Sequence, residues 1–398
     1  MNILFITPRF PYPFDRGDKI RPFYFAKTLS KKYNIYLASF LDKKDKAKID
    51  DTLLKIFKEI EILPLHEIYS YSNMLWGLFS LRPLQVSYFQ SREMEGMIKK
   101  IIRKKKIDVI YAFHIRITPY VKDIKSCYKI LDYTDSVSLF IDRVRKKSNF
   151  FLKPVLFYEW LTVKRYETYI SKYFDEYWFI SEVDKNAVKG LDRAKTFIVP
   201  NGIDFQYFSH NDQIKKENAL IFVGYMSVES VKAILYFYKK IWPEIKKEIS
   251  DVKFYIVGAN PPANIKKLAE IDKDIIVTGF VEDLRDYYAK ASILVAPMVV
   301  VVGVQNKILE AMAMGLPVVT TSFGNEGINA RHGEEIFIAD KPEEFGKYVI
   351  DLLKNKKLRE QIGKNARKFV IKNFSWEKVN ERIEQICKKL NDKKTRYS

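Results

Sequence analysis

The sequence predicts an α/β protein made of two Rossmann-like parallel-sheet domains. Three observations carry that prediction. Short apolar runs alternate with helical stretches along almost the whole chain. The alternation pauses in a polar segment, 210–218, and restarts at Ala219. At 398 residues the chain also exceeds one ordinary core, so two domains are the natural division. The predicted boundaries are a first domain over 1–198, a linker over 199–218 and a second domain over 219–374. A terminal helix and tail over 375–398 are expected to pack back on the first domain.

Composition narrows the partners. Hydrophobic residues make up 47% and charged residues 30%, which describes a folded soluble protein. Two cysteines, Cys127 and Cys387, cannot form a disulfide framework, and a reducing, cytoplasmic setting is expected. The opening MNILFITP runs into a strand without a basic leader, so no signal peptide is expected. No run of 18 uncharged apolar residues suits a membrane span. The net charge of +20 favours anionic partners, whether nucleotide, nucleic acid or acidic lipid headgroups. Nucleic acid is not expected among them. The chain has no RNP-type strand, GXXG clamp or zinc-finger spacing.

In chain order, Asn2 to Ile6 is the first buried strand. Pro8 to Asp18 forms a rigid polar loop, and Ile20 to Ser30 the following helix. Gly17 in this loop permits close backbone approach to a ligand, although the pattern is not GxGxxG. Ile35 to Phe40 is the next strand, Asp42 to Phe57 a charged helix, and Glu61 to Pro64 a short strand. Tyr69 to Phe89 is aromatic-rich and reads as a packed helix pair or lid, or else as an apolar contact surface. Glu95 to Lys106 is a helix whose basic end, Arg103 to Lys106, suits the dipole at a C-terminus.

The strand Asp108 to His114 ends in one of four histidines, and Lys129 to Asp135 closes on a carboxylate. Such strand ends overlook the ligand crevice of a parallel sheet. Neither Asp132 nor Asp135 has metal-ligand spacing around it, so no metal is expected. Asn149 to Lys172 is a long helix, Glu176 to Ser181 a strand and Thr196 to Val199 another. The second series begins with the strand Ala219 to Gly224. It continues with a helix over Ser230 to Lys247, the strands Val252 to Val257 and Ile275 to Gly279, and a helix over Leu284 to Lys290. Near Glu335 to Ile338 lies a further strand, before three terminal helices.

The most informative stretch is Ile293 to Thr321. An apolar strand enters a loop around Gly303, and a helix from about Asn306 ends at Gly315 with Pro317 beyond it. The free N–H groups of such a helix suit an anion. Lys307 in its first turn can meet phosphate, and Glu310 one turn later can accept two sugar hydroxyls. A plain crossover helix with both side chains facing water is the alternative.

Several segments match a known pattern. Val199-Pro200-Asn201-Gly202-Ile203-Asp204, followed by Phe208, resembles the signature entering the second domain of retaining GT-B glycosyltransferases of family 4. Gly279 to Leu284, with Tyr287 to Ala291, resembles that family's base-reading loop and helix, and Gln305 to Val319 its donor-binding helix. PRFPYPFDRGDKIR and LDYTDSVS are most similar to a bacterial subgroup of sugar transferases tied to exopolysaccharide export. The resemblance implies a GT-B arrangement, with two Rossmann-like domains facing across a cleft.

It also implies transfer of a sugar, with retention, from a nucleotide diphosphate-sugar donor to a polysaccharide or lipid-linked glycan acceptor. No cofactor or metal is implied. Glu310 would accept from the ribose hydroxyls, and Phe280 and Val281 would read the base edge. Gly17 and Gly224 would admit the diphosphate, with Asn306, Lys307 and Leu309 completing the donor site. Lys307, Asp135 and His114 are the candidate catalytic residues. The pattern differs at Val302, where the family has an acidic residue, and at Tyr225, where a basic pair is usual. A sugar-nucleotide epimerase of the same fold, and a non-catalytic nucleotide-sugar or glycan binder, are the competing readings. The basic cluster 99–106 would hold the chain against an anionic inner leaflet.

Overall fold

The computed structural model describes residues 1–13, 17–42, 49–209, 214 and 216–395. Two compact units divide the chain: Met1–Pro200 with Val379–Ser398, and Asn201–Lys378.

Among the described residues unit 1 holds seven strands: β1 (Asn2–Thr7), β2 (Asn34–Leu41), β3 (Phe57–Pro64), β4 (Val109–Phe113), β5 (Tyr128–Thr134), β6 (Glu176–Phe179) and β7 (Thr196–Ile198). They lie in the order β3-β2-β1-β4-β5-β6-β7, and every pair is parallel. Ile3 sits opposite both Ile35 and Val109. Continuous apolar runs make these strands because helices cover both faces of a parallel sheet, so no outward polar alternation is needed. Leu4, Ile6, Ile110, Ala112 and Leu131 are accordingly buried in one cluster.

Unit 2 repeats the plan with β8 (Ala219–Val223), β9 (Lys253–Val257), β10 (Ile275–Gly279), β11 (Ile293–Ala296), β12 (Val318–Thr320) and β13 (Phe337–Ile338). Their order is β10-β9-β8-β11-β12-β13, again all parallel. In each unit the strand order reverses once, between β1 and β4 and between β8 and β11. Ligands of open parallel sheets settle outside the strand C-termini at such a reversal. That rule directs attention to the loops after β1, β4, β8 and β11.

Several elements differ from the sequence reading. The helix expected over Asp42 to Phe57 spans only Asp51–Ile56 among the described residues, and 43–48 lie outside them. Asp50 caps it, accepting from Thr52 N and Leu53 N, and Phe57 already begins β3. The helix expected over Ser230 to Lys247 is two, Val228–Lys240 and Trp242–Glu248. Pro243 explains the break, since it lacks the N–H an uninterrupted helix needs and fits a first turn. The long helix expected from Asn149 starts at Lys153, with Pro154 in its first turn. Ser375 caps the last helix, Trp376–Thr395, accepting from Lys378 N at 3.3 Å. Within that helix Val379 and Ile386 are buried.

Candidate functional site

In unit 2 the site grows from β8 and β11. β8 delivers Gly224, whose φ of +154° suits glycine. A side chain there would also crowd Lys307: an added Cβ would lie 3.1 Å from its Cε and 3.2 Å from its Nζ. A Cβ on Gly258 would strike Gly224 O at 1.9 Å, so two glycine loops meet backbone to backbone. After β11 the chain passes Gly303 and enters the Asn306–Ala313 helix. Asn201 Nδ2 donates to Asn306 Oδ1 at 2.9 Å and ties the Pro200-Asn201-Gly202 turn to that helix start.

Lys307 and Glu310 lie one turn apart on this helix. The Lys307 Nζ stands 4.8 Å from the centroid of the Phe222 ring, which partly desolvates it. Burial lowers its pKa to about 8, opposed by Glu310, so it keeps its proton at neutral pH. Burial also raises the Glu310 carboxyl above its ordinary value, while the Tyr288 hydrogen bond and Lys307 pull it back. The Tyr288 hydroxyl donates to Glu310 Oε2 at 2.8 Å. One carboxylate oxygen is thus fixed by a buried phenol, and the pair presents a cation and an oriented carboxylate side by side. That set can meet a phosphate and a vicinal diol together.

The remaining candidates in this unit divide. Phe280 stands exposed beyond Gly279, whose φ is +73°. Val281 follows it in the same loop, between β10 and the Leu284–Lys290 helix. Leu309 is only 1% exposed and its N–H is spent on Gln305 O, so it supports the helix and offers nothing outward.

In unit 1 the ends of β1, β4 and β5 form a second polar centre. Gly17 begins the Gly17–Leu29 helix after β1. His114 follows β4 with φ +72° and ψ 153°, unusual for a residue with a side chain. Its Nδ1 is buried with no hydrogen-bond partner among the described residues. Burial, with Arg116 and Arg9 nearby, holds its pKa well below the ordinary imidazole value, so the ring is neutral. Thr134 also adopts positive φ, +66°, and its buried Oγ1 is likewise unmatched among the described residues. Strained backbone and unmatched polar atoms at strand ends belong to ligand sites more often than to scaffolds.

Asp135 comes next, and burial with the charge of Asp184 pushes it up to about 7. Burial takes Glu167, 1% exposed, up to about 7 as well, against donation from Ser138 N at 3.3 Å. Both folded values exceed the ordinary carboxylate range. Between about pH 4 and 7 the folded chain therefore holds protons that the unfolded chain has released. The contribution is fully present below that window and is lost as pH rises through it. Asp135→Asn and Glu167→Gln should each flatten the slope of stability against pH, by up to about 1.4 kcal/mol per pH unit. Urea melts across the window measure this, and an unchanged slope in either variant removes that residue from the assignment.

Asp132, two residues before Thr134, has a structural role. Arg21 meets it from Nε at 2.6 Å and from Nη2 at 3.2 Å, and the Tyr111 hydroxyl donates to the same carboxylate. Arg21 Nη1 continues to Pro200 O at 3.1 Å. The sequence reading did not find Arg21, Tyr111, Tyr288, Glu167 or Asp184. Arg21 and Tyr288 carried a signal, lying within the GDKIR and Tyr287 to Ala291 segments. Among the described residues no group of three or more His, Cys, Asp or Glu side chains is arranged to hold a metal.

Residues 217–355 match the family described as "Glycosyl transferases group 1". The chain is related to the group 1 glycosyl transferases. The matched segment contains Gly224, Phe280, Tyr288, Lys307 and Glu310, and leaves Asn201 outside it. Among curated proteins, the chain is 29% identical over 258 residues to an uncharacterized 44.6 kDa protein in the cps region of Klebsiella pneumoniae. That alignment covers 62% of this chain and 65% of the relative, just under two thirds of its length.

Among solved structures, sucrose-phosphate synthase of Thermosynechococcus elongatus aligns with a TM-score of 0.72 at 16% identity, covering 98% and 99% of the two chains. HepE of Anabaena, solved in complex with UDP, aligns with a TM-score of 0.67 at 15% identity, covering 98% and 100%. At these identities the likeness establishes the fold, which is GT-B with two Rossmann-like parallel-sheet domains.

Proposed function

We propose that the chain is a retaining glycosyltransferase that takes its sugar from a nucleotide diphosphate-sugar. Its acceptor is a polysaccharide or lipid-linked glycan precursor at the cytoplasmic face of a membrane, as in exopolysaccharide assembly. The observation that carries this reading is the Lys307–Glu310–Tyr288 set beside Gly224, at the strand-order reversal of the group 1 segment. Glu310, with one oxygen fixed by Tyr288, accepts from the ribose hydroxyls. Lys307 and the helix start at Asn306 meet the diphosphate, and the loop at Phe280 and Val281 takes the base.

In the reaction the bond from the anomeric carbon to the diphosphate oxygen breaks. A bond from the same carbon to the acceptor hydroxyl oxygen forms on the same face. The hydroxyl proton passes to the departing diphosphate, so no strong protein base is required. The contribution of Lys307 and the helix N-terminus is to stabilise charge on the leaving group. Unit 1 takes the acceptor, with neutral His114 and the Asp135 carboxyl as the polar groups nearest its strand ends. The supplied cation and helix dipole make the reaction independent of divalent metal.

A panel of UDP-, GDP- and ADP-sugars, read by donor hydrolysis with and without excess chelator, tests this. One donor class should turn over, and chelation should leave its rate unchanged. Loss on chelation, restored by Mg²⁺ or Mn²⁺ alone, replaces the metal-free mechanism. Tight nucleotide binding without turnover would favour the non-catalytic binder, to which the apolar Val302 lends weight. Absence of both binding and turnover overturns the proposal.

A further inference from the structure

The Glu67–Phe79 helix of unit 1 is built inside out. Its buried positions are Ser70 and Gly77, both small. Gly77 sits so close to the Leu84–Tyr88 helix that an added Cβ would lie 2.6 Å from Ser87 Oγ. The large apolar side chains point the other way: Ile68 is 84% exposed, Trp76 75% and Phe79 84%. Ordinary packing would reverse this arrangement, because each outward aromatic forgoes the gain of taking its ring out of water. Among the described residues these side chains stay exposed.

A second apolar group adjoins it. The Val137–Lys146 and Lys153–Ile170 helices pack as an antiparallel pair, with Arg145 over the rings of Phe157 and Trp160 at 5.6 and 4.7 Å. The connection between them bears Phe150, 80% exposed, and Phe151, 86% exposed, followed by exposed Leu152 and Val155. Tyr158, two turns from that connection, donates to Gly77 O at 3.0 Å and Leu78 O at 3.1 Å. The two apolar groups are thereby bonded to each other. Their charge is net positive. Residues 67–82 and 142–159 contain six basic side chains (Arg82, Arg143, Arg145, Lys146, Lys147 and Lys153) against three carboxylates, Glu67, Asp142 and Glu159, and Asp142 pairs with Arg145 and, at 2.6 Å, with Lys146.

We infer that this face, the outer side of the Glu67–Phe79 helix with the Phe150–Phe151 connection, docks on an anionic lipid bilayer. Aromatic and aliphatic side chains enter the headgroup boundary while the surrounding lysines and arginines meet acidic headgroups. The net positive charge around the exposed rings selects an anionic surface over a neutral one. No described helix is long and apolar enough to cross a membrane, so the contact is peripheral.

The basic run 103–106 is a different place. It ends the Arg92–Lys105 helix near the strand starts, where Lys105 pairs with Glu59 at 2.5 Å and its carbonyl accepts from Asn2 Nδ2 at 2.6 Å. The aromatic helix instead starts from the opposite end of the sheet, after Pro64. The inference sharpens the membrane part of the proposed function. Its test involves no turnover, so failure here leaves the donor-site reading untouched.

Vesicle co-sedimentation of the full chain decides it, with phosphatidylcholine vesicles compared with ones containing phosphatidylglycerol. The protein should bind only the anionic vesicles and release in high salt. F150S/F151S and W76S/F79S should each reduce partitioning about tenfold or more. K146Q/K147Q should reduce it to a similar degree, and R103Q/K104Q should leave it unchanged. Circular dichroism checks that each variant is folded, and because all these side chains are exposed the fold should persist. Binding lost in R103Q/K104Q but kept in the aromatic variants moves the contact to the other end of the sheet and overturns the inference. So does equal binding to both vesicle types. A concentration-dependent dimer in sedimentation velocity that F150S/F151S abolishes, without vesicle binding, assigns the face to a second copy instead.

Discussion

Glu310→Ala is expected to weaken nucleoside diphosphate binding by roughly 1.5–3 kcal/mol, about 10- to 150-fold in Kd. The cause is loss of hydrogen bonds from ribose hydroxyls to a charged acceptor. The variant also leaves the buried Tyr288 hydroxyl without the carboxylate it bonds at 2.8 Å. Tyr288→Phe isolates that second contribution. It keeps the acceptor and frees its orientation, so a smaller loss of roughly 0.5–1.5 kcal/mol is expected. Titration calorimetry with UDP, GDP and ADP in turn measures both. Unchanged affinity for the best nucleotide, in a folded Glu310→Ala protein, sinks the ribose assignment.

Arg21→Met should destabilise unit 1 by about 3–5 kcal/mol, since it strands the Asp132 carboxylate in the core. Both side chains of that pair are 0% exposed. The Tyr111 hydroxyl and the Thr134 N–H, which donates to Asp132 Oδ1 at 3.0 Å, cannot replace a bidentate guanidinium. Substituting both partners, as R21M/D132L, should recover much of the loss, because an apolar pair leaves no charge behind. Urea melts following the unit 1 transition provide the measurement. A single variant within about 1 kcal/mol of the parent would mean that solvent or another group compensates the charge.

The two parallel sheets were legible because their strands are continuous apolar runs, such as Leu220-Ile221-Phe222 and Ile293-Leu294-Val295, separated by helical stretches. The Lys307 and Glu310 pairing was legible too, since one turn of helix fixes their proximity from spacing alone. Tyr288 was not, because it reaches Glu310 across 22 residues of chain. Arg21 meets Asp132 across 111, and no local pattern encodes such a meeting. The strand read near Glu61 to Pro64 begins earlier, at Phe57, for another reason. Phe57 to Ile60 mixes charged and apolar residues without clear alternation, and only its pairing beside Ile35 to Leu37 makes it a strand. For Tyr69 to Phe89 composition left a packed helix pair and an apolar contact surface both open, because hydrophobic periodicity assumes that large apolar residues turn inward.

The division of the chain also bears on how it is made. Unit 1 consists of Met1–Pro200 and Val379–Ser398, so all of unit 2 is translated between its two parts. Residues 201–378 number 378 − 200 = 178, and at about 5–20 residues per second their synthesis delays the closing helix by about 10–35 s. During that interval the surface that later receives Val379 and Ile386 stays open while unit 2 emerges. The nascent protein therefore passes through a stage in which unit 2 can be complete while the unit encoded first is not.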